Sequence, residues 1–319
     1  MHKIVILDGH ALNPGDLNWD ALRALGPVTV HERTPQELIV ERCREAEIVL
    51  TNKVPLLEES IAQLPTLRYI GVMATGYNVI DVEAAHRRGI VVTNIPAYST
   101  PSVAQSVFAL LLAMTNRVEH YTQQIVQEGS WTRSPDFCYW DTPLTELCGQ
   151  RMGIVGMGAI GTRVAAIAQA LGMEVVALSR RGQEAMPAGV LKVDEDTFWR
   201  TSHVVSLHCP LTAETRGLVN AQRLSQMKQD AILINTARGP LVDEAALAEA
   251  LACGKLMGAG LDVLTQEPPL PDNPLLKQPR CRITPHIGWA SQEARIRLMH
   301  TIISNVKAFV EGKPQNVVW

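Results

Sequence analysis

Arg238, Glu267 and His286 are the side chains of this sequence best suited to chemistry. Each lies just beyond an apolar run: Ile234-Asn235-Thr236-Ala237-Arg238-Gly239, Gly260-Leu261-Asp262-Val263 leading to Glu267-Pro268-Pro269, and Thr284-Pro285-His286-Ile287-Gly288. Taken singly, each has a plain reading: a surface arginine, a loop carboxylate, a histidine satisfied by its neighbours. Together they supply what reduction of a 2-keto acid requires. An arginine fork can hold a carboxylate and the adjoining carbonyl. A histidine can give the carbonyl oxygen a proton as a hydride arrives. A carboxylate beside that histidine favours the imidazolium form.

A hydride needs a carrier, and the sequence offers a place for one. Met152-Gly153-Ile154-Val155 runs into Gly156-Met157-Gly158-Ala159-Ile160-Gly161, and a helical pattern of small residues follows at once, Thr162 to Leu171. In a strand–loop–helix setting this Gly-x-Gly-x-x-Gly predicts a dinucleotide site. The first glycine turns the chain, the second admits a pyrophosphate and the third packs helix on strand. The helix N-terminus adds unpaired N–H groups and a positive dipole end. An acid at the end of the next strand would take the ribose 2′-hydroxyl of NAD. Here that strand runs to Leu178 and Ser179-Arg180-Arg181 follows. Serine can donate to a 2′-phosphate and arginine can pair with it. The reading is therefore NADP(H) in preference to NAD(H).

These positions need a frame, and the patterning supplies one. Lys3–Leu7, Val28–His31, Ile48–Thr51, Tyr69–Val72 and Ile90–Thr93 read as strands. Helical patterns at 19–25, 35–46, 58–64 and 82–88 alternate with them. From 151 the alternation resumes, with strands expected at 152–155, 175–178, 204–207, 231–235, 257–261 and 282–284. Such alternation predicts α/β architecture with two doubly wound parallel sheets. Between them, Ser102 to Gln127 reads as one long helix with a nearly all-apolar centre, and 129–149 as a loop. A last helical pattern, Gln292 to Glu311, is expected to return to the first domain. The expected division is 1–99 plus 290–319 as a substrate domain and 100–289 as the dinucleotide-binding domain.

Bulk properties narrow the function classes. The chain has 319 residues, 46% hydrophobic and 19% charged, with 29 basic and 32 acidic residues giving a net charge of −3. That balance carries no electrostatic footprint for nucleic acid or anionic membrane. The six cysteines form no C-x-x-C pair and no metal-like spacing with histidine, so no metal is expected. Reduced thiols in a cytoplasmic protein are the simplest reading. No apolar stretch approaches the roughly 20 residues of a membrane span.

Over essentially its whole length the chain resembles the D-isomer-specific 2-hydroxyacid dehydrogenases. The glycine loop, Asn235-Thr236-Ala237-Arg238-Gly239, Leu261-Asp262-Val263 with Glu267-Pro268, and Pro285-His286-Ile287-Gly288 match in order. Within that family it looks most like the hydroxypyruvate/glyoxylate reductase (glycerate dehydrogenase) branch. Asp8-Gly9, Asn13-Pro14-Gly15-Asp16, Ala74-Thr75-Gly76-Tyr77-Asn78 and Pro135-Asp136-Phe137-Cys138 carry the closer likeness. The resemblance implies a flavodoxin-like substrate domain, a Rossmann nucleotide domain and an active site between them. It implies Arg238 on the substrate carboxylate and carbonyl, His286 as acid/base, and Glu267 orienting His286. It places Thr236, Asp262 and Gly288 with the cofactor, and Cys209, Pro210 and Thr215 along the nucleotide cleft. It assigns the Thr75 and Gly76 amides to the substrate carboxylate. It also implies a homodimer joined through the nucleotide domains; Phe137 or Trp140 either reaches a neighbouring subunit's pocket or packs in the core or interface.

Two competing expectations remain. One keeps the enzyme but changes the cofactor to NAD or the substrate to another keto acid. Lys53-Val54, Tyr77 and Trp140 would set the size of that acid. The other is a nucleotide-sensing corepressor-like interaction protein on the same fold, against which the full Arg–Glu–His set argues.

Overall fold

The structure is a computed structural model and describes residues 2–318. Its contacts divide the chain into two compact units, residues 1–99 with 290–319, and residues 100–289.

The first unit is built on β1 (Ile4–Ile6), β2 (Val28–Val30), β3 (Ile48–Thr51), β4 (Tyr69–Val72) and β5 (Val91–Thr93). All pair in parallel in the order β2-β1-β3-β4-β5. That is a flavodoxin-like order. Its central strands are largely apolar because helices cover both faces: β1, β3 and β4 are buried at every position. The helix Gln292–Val310 lies in this unit and its Asn305 side chain donates to the Asn94 carbonyl.

The second unit carries β6 (Arg151–Val155), β7 (Glu174–Leu178), β8 (Val190–Lys192), β9 (Val204–Leu207), β10 (Ala231–Asn235), β11 (Leu256–Leu261) and β12 (Cys281–Ile283). The parallel order is β12-β11-β10-β9-β6-β7-β8. This is the Rossmann order with one further strand, and it reverses between β6 and β9. Alternation of side chains across the sheet sorts two cores. Ile232 and Ile234 face the helices Thr100–Thr115 and Ala159–Ala170, whereas Leu233 faces the helix Glu244–Ala252.

Two elements differ from the sequence expectation. The long helix breaks into Thr100–Thr115 and Val118–Val126, because Arg117 takes a left-handed conformation at φ 52°. Pro101, one residue inside the helix start, suits a first turn that needs no N–H from it. The strand β8 forms an edge that patterning did not reveal. The helix Thr100–Thr115 sits unusually close to β11, since a Cβ at Gly258 would fall 2.8 Å from Met114 Sδ and one at Gly260 2.8 Å from Leu110 Cβ.

Candidate active site

The glycine loop meets the requirements of a pyrophosphate cradle. Gly156 has φ +92°, and a Cβ there would lie 2.8 Å from the Cys209 amide nitrogen and the His208 carbonyl. A Cβ at Gly161 would lie 2.1 Å from the Gly156 carbonyl oxygen, so only glycine lets the helix approach. Gly158 N-caps the helix Ala159–Ala170, and a Cβ there meets nothing within 4 Å. Ala159 and Ile160 begin that helix, whose first-turn amides have no intrahelical acceptor. Turn, open approach and close packing are thus divided among the three glycines as a bound dinucleotide requires.

Ser179, Arg180 and Arg181 follow the end of β7 beside this loop. Arg181 Nη1 donates to the Met157 carbonyl at 3.3 Å, and its amide donates to Ser179 Oγ at 3.1 Å. Burial raises the Cys209 thiol above its ordinary value, and the nearby Arg180 charge acts in the opposite sense. Pro210 and Thr215 close the next loop, with Thr215 Oγ1 donating to the Pro210 carbonyl at 2.7 Å. Burial pushes the His208 imidazole down to about 3, so it is neutral, and its Nε2 lies 2.8 Å from Ser206 Oγ.

Arg238, Glu267 and His286 leave the ends of three neighbouring strands, β10, β11 and β12. The buried Asn235 shapes the first loop: Oδ1 accepts the Ala237 amide at 3.0 Å and Nδ2 donates to the Arg238 carbonyl at 2.9 Å. Gly239 then passes so near the second loop that a Cβ would lie 2.0 Å from the Leu264 carbonyl carbon. Arg238 is exposed, with Nη1 donating to the Ala237 carbonyl at 2.6 Å. Glu267 Oε1 accepts the Leu264 amide at 3.1 Å, and Oε2 lies 2.6 Å from His286 Nδ1. Glu244, which patterning did not single out, accepts the Thr265 amide at 2.5 Å and the Asn273 side chain at 2.7 Å.

Asp262, expected with the cofactor, sets its carboxylate against the loop that follows β12. It is 3% exposed; Oδ1 accepts Thr284 Oγ1 at 2.6 Å and the Ile287 amide at 2.9 Å, while Oδ2 accepts the Gly288 amide at 2.8 Å. Gly288 likewise has both backbone polar groups engaged, since its carbonyl accepts Ser102 Oγ at 2.6 Å. These contacts clasp the loop that carries His286, whose φ is +56°. Thr236 is the opposite case. Its Oγ1 is buried without a hydrogen-bond partner among the described residues. A buried hydroxyl left so costs about 1–3 kcal/mol, so the end of β10 suits a polar ligand group.

Thr75 and Gly76 belong to the first unit, beyond the end of β4. Thr75 Oγ1 donates to the Ile95 carbonyl at 2.7 Å, and the Thr75 carbonyl accepts Asn94 Nδ2 at 2.7 Å. The neighbouring loop is fixed by Asp8, whose buried carboxylate accepts the amides of Asn52, Lys53 and Val54. Burial raises the Asp8 carboxyl above its ordinary value despite those three donors. An acid just after an apolar strand, Asp8-Gly9, was its only trace in the sequence.

The segment 129–149 carries no residue of these loops. It exposes Phe137 at 89% and Trp140 at 66%. Asp141 anchors it to the helix Val118–Val126, accepting from Gln124 at 2.9 Å and Tyr121 at 3.1 Å and lying 2.6 Å from His120 Nε2. The His120 hydrogen bond leads the interactions that hold the Asp141 carboxyl down at about 2.

Comparison with known proteins agrees with this frame. A sequence model of the D-isomer specific 2-hydroxyacid dehydrogenase NAD-binding domain matches residues 108–288. A hydroxypyruvate reductase of Blautia hydrogenotrophica is 48% identical over 99% of both chains. A glycerate dehydrogenase of Methylorubrum extorquens is 45% identical over 89% of both. Among solved structures, an acyclic imino acid reductase in complex with NADPH and D-arginine superposes with a TM-score of 0.85 and 32% identity, covering 99% of this chain and 100% of that one. With a parallel seven-stranded Rossmann sheet, its glycine loop and near full-length identity to such enzymes, the chain belongs to the D-isomer specific 2-hydroxyacid dehydrogenase family, enzymes acting on the CH–OH group of hydroxy acids with NAD(P).

Proposed function

We propose that this enzyme reduces small 2-keto acids, glyoxylate and hydroxypyruvate foremost, to D-2-hydroxy acids with NADPH preferred over NADH. The observation that carries the chemistry is the 2.6 Å pair of His286 Nδ1 and Glu267 Oε2, on a loop beside the one bearing Arg238. The names of the relatives, hydroxypyruvate reductase, glycerate dehydrogenase and glyoxylate reductase, support the substrate class.

The bound nicotinamide supplies the hydride for reduction and receives it in oxidation. The protein does the rest. The Arg238 guanidinium holds the substrate carboxylate and carbonyl with paired donors. Glu267 accepts a hydrogen bond from the Nδ1–H of His286, which fixes the ring and leaves Nε2 for the substrate oxygen. His286 Nε2 delivers a proton to that oxygen in reduction and takes it back in oxidation. Reduction therefore draws on the imidazolium and oxidation on the neutral ring. The Thr75 and Gly76 amides serve the substrate carboxylate. Ser179, Arg180 and Arg181 serve the ribose phosphate, since no carboxylate stands directly after β7 to repel it. Thr236 meets the nicotinamide end with its unpartnered hydroxyl. Asp262 and Gly288 serve the cofactor side and also hold the loop that carries His286. The exposed aromatic segment 129–149 and the helix Val118–Val126 form the homodimer contact, in a cytoplasmic protein.

The test follows reduced-nicotinamide absorbance with glyoxylate and hydroxypyruvate, using NADPH and NADH in parallel. A kcat/KM at least tenfold higher with NADPH is expected. Preference for NADH overturns the cofactor reading and leaves the reaction standing. His286→Ala and Arg238→Ala are each expected to lower kcat/KM about 10²–10⁴-fold while nucleotide binding survives. Near-normal turnover in either variant sinks the site assignment. No turnover of any keto acid by the parent enzyme favours a nucleotide-sensing role.

A further inference from the structure

We propose that Ser102 is a positioning residue for His286, acting through the backbone of Gly288; this rests on the reading of His286 as the acid/base. His286 has φ +56°, a left-handed conformation that costs a non-glycine residue about 1–2 kcal/mol. Such a conformation persists only where the surroundings over-determine it. Two clasps do so. Asp262 takes the amides of Ile287 and Gly288 and the hydroxyl of Thr284. Ser102, 186 residues away in sequence, donates its hydroxyl to the Gly288 carbonyl at 2.6 Å. The peptide units just after His286 are thus held through their N–H groups from one side and a C=O from the other.

The second clasp is anchored well. Ser102 lies in the first turn of the helix Thr100–Thr115, which Gly258 and Gly260 let down onto β11. Its own carbonyl accepts Ser106 Oγ at 3.2 Å. A Cβ at Gly288 would lie 2.8 Å from Asp262 Oδ2 and 3.5 Å from Ser106 Oγ, so the loop has no slack for a side chain there. Removing the Ser102 hydroxyl frees the Gly288 carbonyl and lets the His286 backbone relax. The imidazole then leaves the direction that Glu267 and the substrate require. Misplacement of a reacting group by about 1 Å costs up to about 10²-fold in rate.

The experiment compares Ser102→Ala, Ser102→Thr and His286→Ala with the parent enzyme. Four readouts are taken: kcat at saturating glyoxylate, KM, nucleotide Kd by fluorescence titration, and amide hydrogen exchange at Ile287 and Gly288. Ser102→Ala is expected to lower kcat about tenfold, with Kd within twofold and faster exchange at both amides. Ser102→Thr, which keeps the hydroxyl, is expected to restore kcat to within twofold of the parent. A Ser102→Ala enzyme with parental kcat, or one that Ser102→Thr fails to rescue, overturns the proposal. If His286→Ala keeps its turnover, the reading of the site fails instead. Unchanged exchange at Gly288 in Ser102→Ala sinks the clasp whatever His286→Ala does.

Discussion

The loops that leave β10, β11 and β12 and the segment 129–149 belong to the same unit, yet they are held in opposite ways. In the strand-end loops the fixing groups are buried. Asn235 is 1% exposed and Asp262 3%, and each binds at least two partners across or within loops. Leu241 and Leu264 there pack into the core, although Ile287 and Leu270 stay exposed. In the segment 129–149 the arrangement is reversed. Phe137, Trp140, Trp131 and Leu144 stand in water, and the anchor is a half-exposed carboxylate, Asp141. Buried polar networks with every member paired give one geometry, whereas exposed apolar surface gives none until something covers it. The proposed chemistry sits on the first kind of structure and the proposed association on the second.

The largest break in this contrast comes from Asp262→Ala. It strips the Ile287 and Gly288 amides and the Thr284 hydroxyl of their acceptor, at about 2–5 kcal/mol in all, and lowers turnover about 100-fold. Thermal unfolding and kcat measured together decide this; a small change in both means the loop is held otherwise. Gly239→Ala comes next, because its Cβ would lie 2.0 Å from the Leu264 carbonyl carbon. Pushing the Glu267 turn aside is expected to cost about 1–3 kcal/mol and to lower kcat without weakening nucleotide affinity.

His208 sharpens the comparison through pH. Its folded value of about 3 lies below the ordinary 6.5, so the folded protein binds that proton more weakly than the unfolded chain. The stability it contributes is complete above pH 6.5 and is lost progressively as pH falls toward 3. His208→Gln should flatten this acid limb of the melting temperature. An unchanged limb in the variant refutes the assignment. The smallest effect belongs to the other region. Asp141 is held at about 2 against an ordinary 3.8, so its contribution is present above pH 4 and lost between about 4 and 2. Asp141→Asn is expected to loosen 129–149 toward trypsin at Arg133 while nucleotide affinity stays within twofold. Equal digestion of variant and parent at neutral pH removes Asp141 as the anchor.

Much of this was legible in the sequence, and the limits have physical causes. Apolar runs located most strands because doubly covered parallel strands are apolar on both faces, as β3 and β10 are. The strand β8 escaped because a three-residue edge strand exposes Leu191 at 58% and carries no such run. The break at Arg117 left no signal either, since neither proline nor glycine marks it. In the site, residue types and their place after strands located Arg238, Glu267 and His286. The contacts of Asp262 and the clasp of Ser102 depend on partners 22 to 186 residues distant, which local pattern cannot encode.

The strand order has one more consequence. Ser179, Arg180 and Arg181 follow β7, on one side of β6, while Arg238, Glu267 and His286 follow strands beyond β9 on the other. Substitutions after β7 therefore leave the clasped loops undisturbed. On the proposed roles, coenzyme choice and turnover become separately heritable traits, and a lineage can exchange one redox pool for another without rebuilding the machinery that moves the proton.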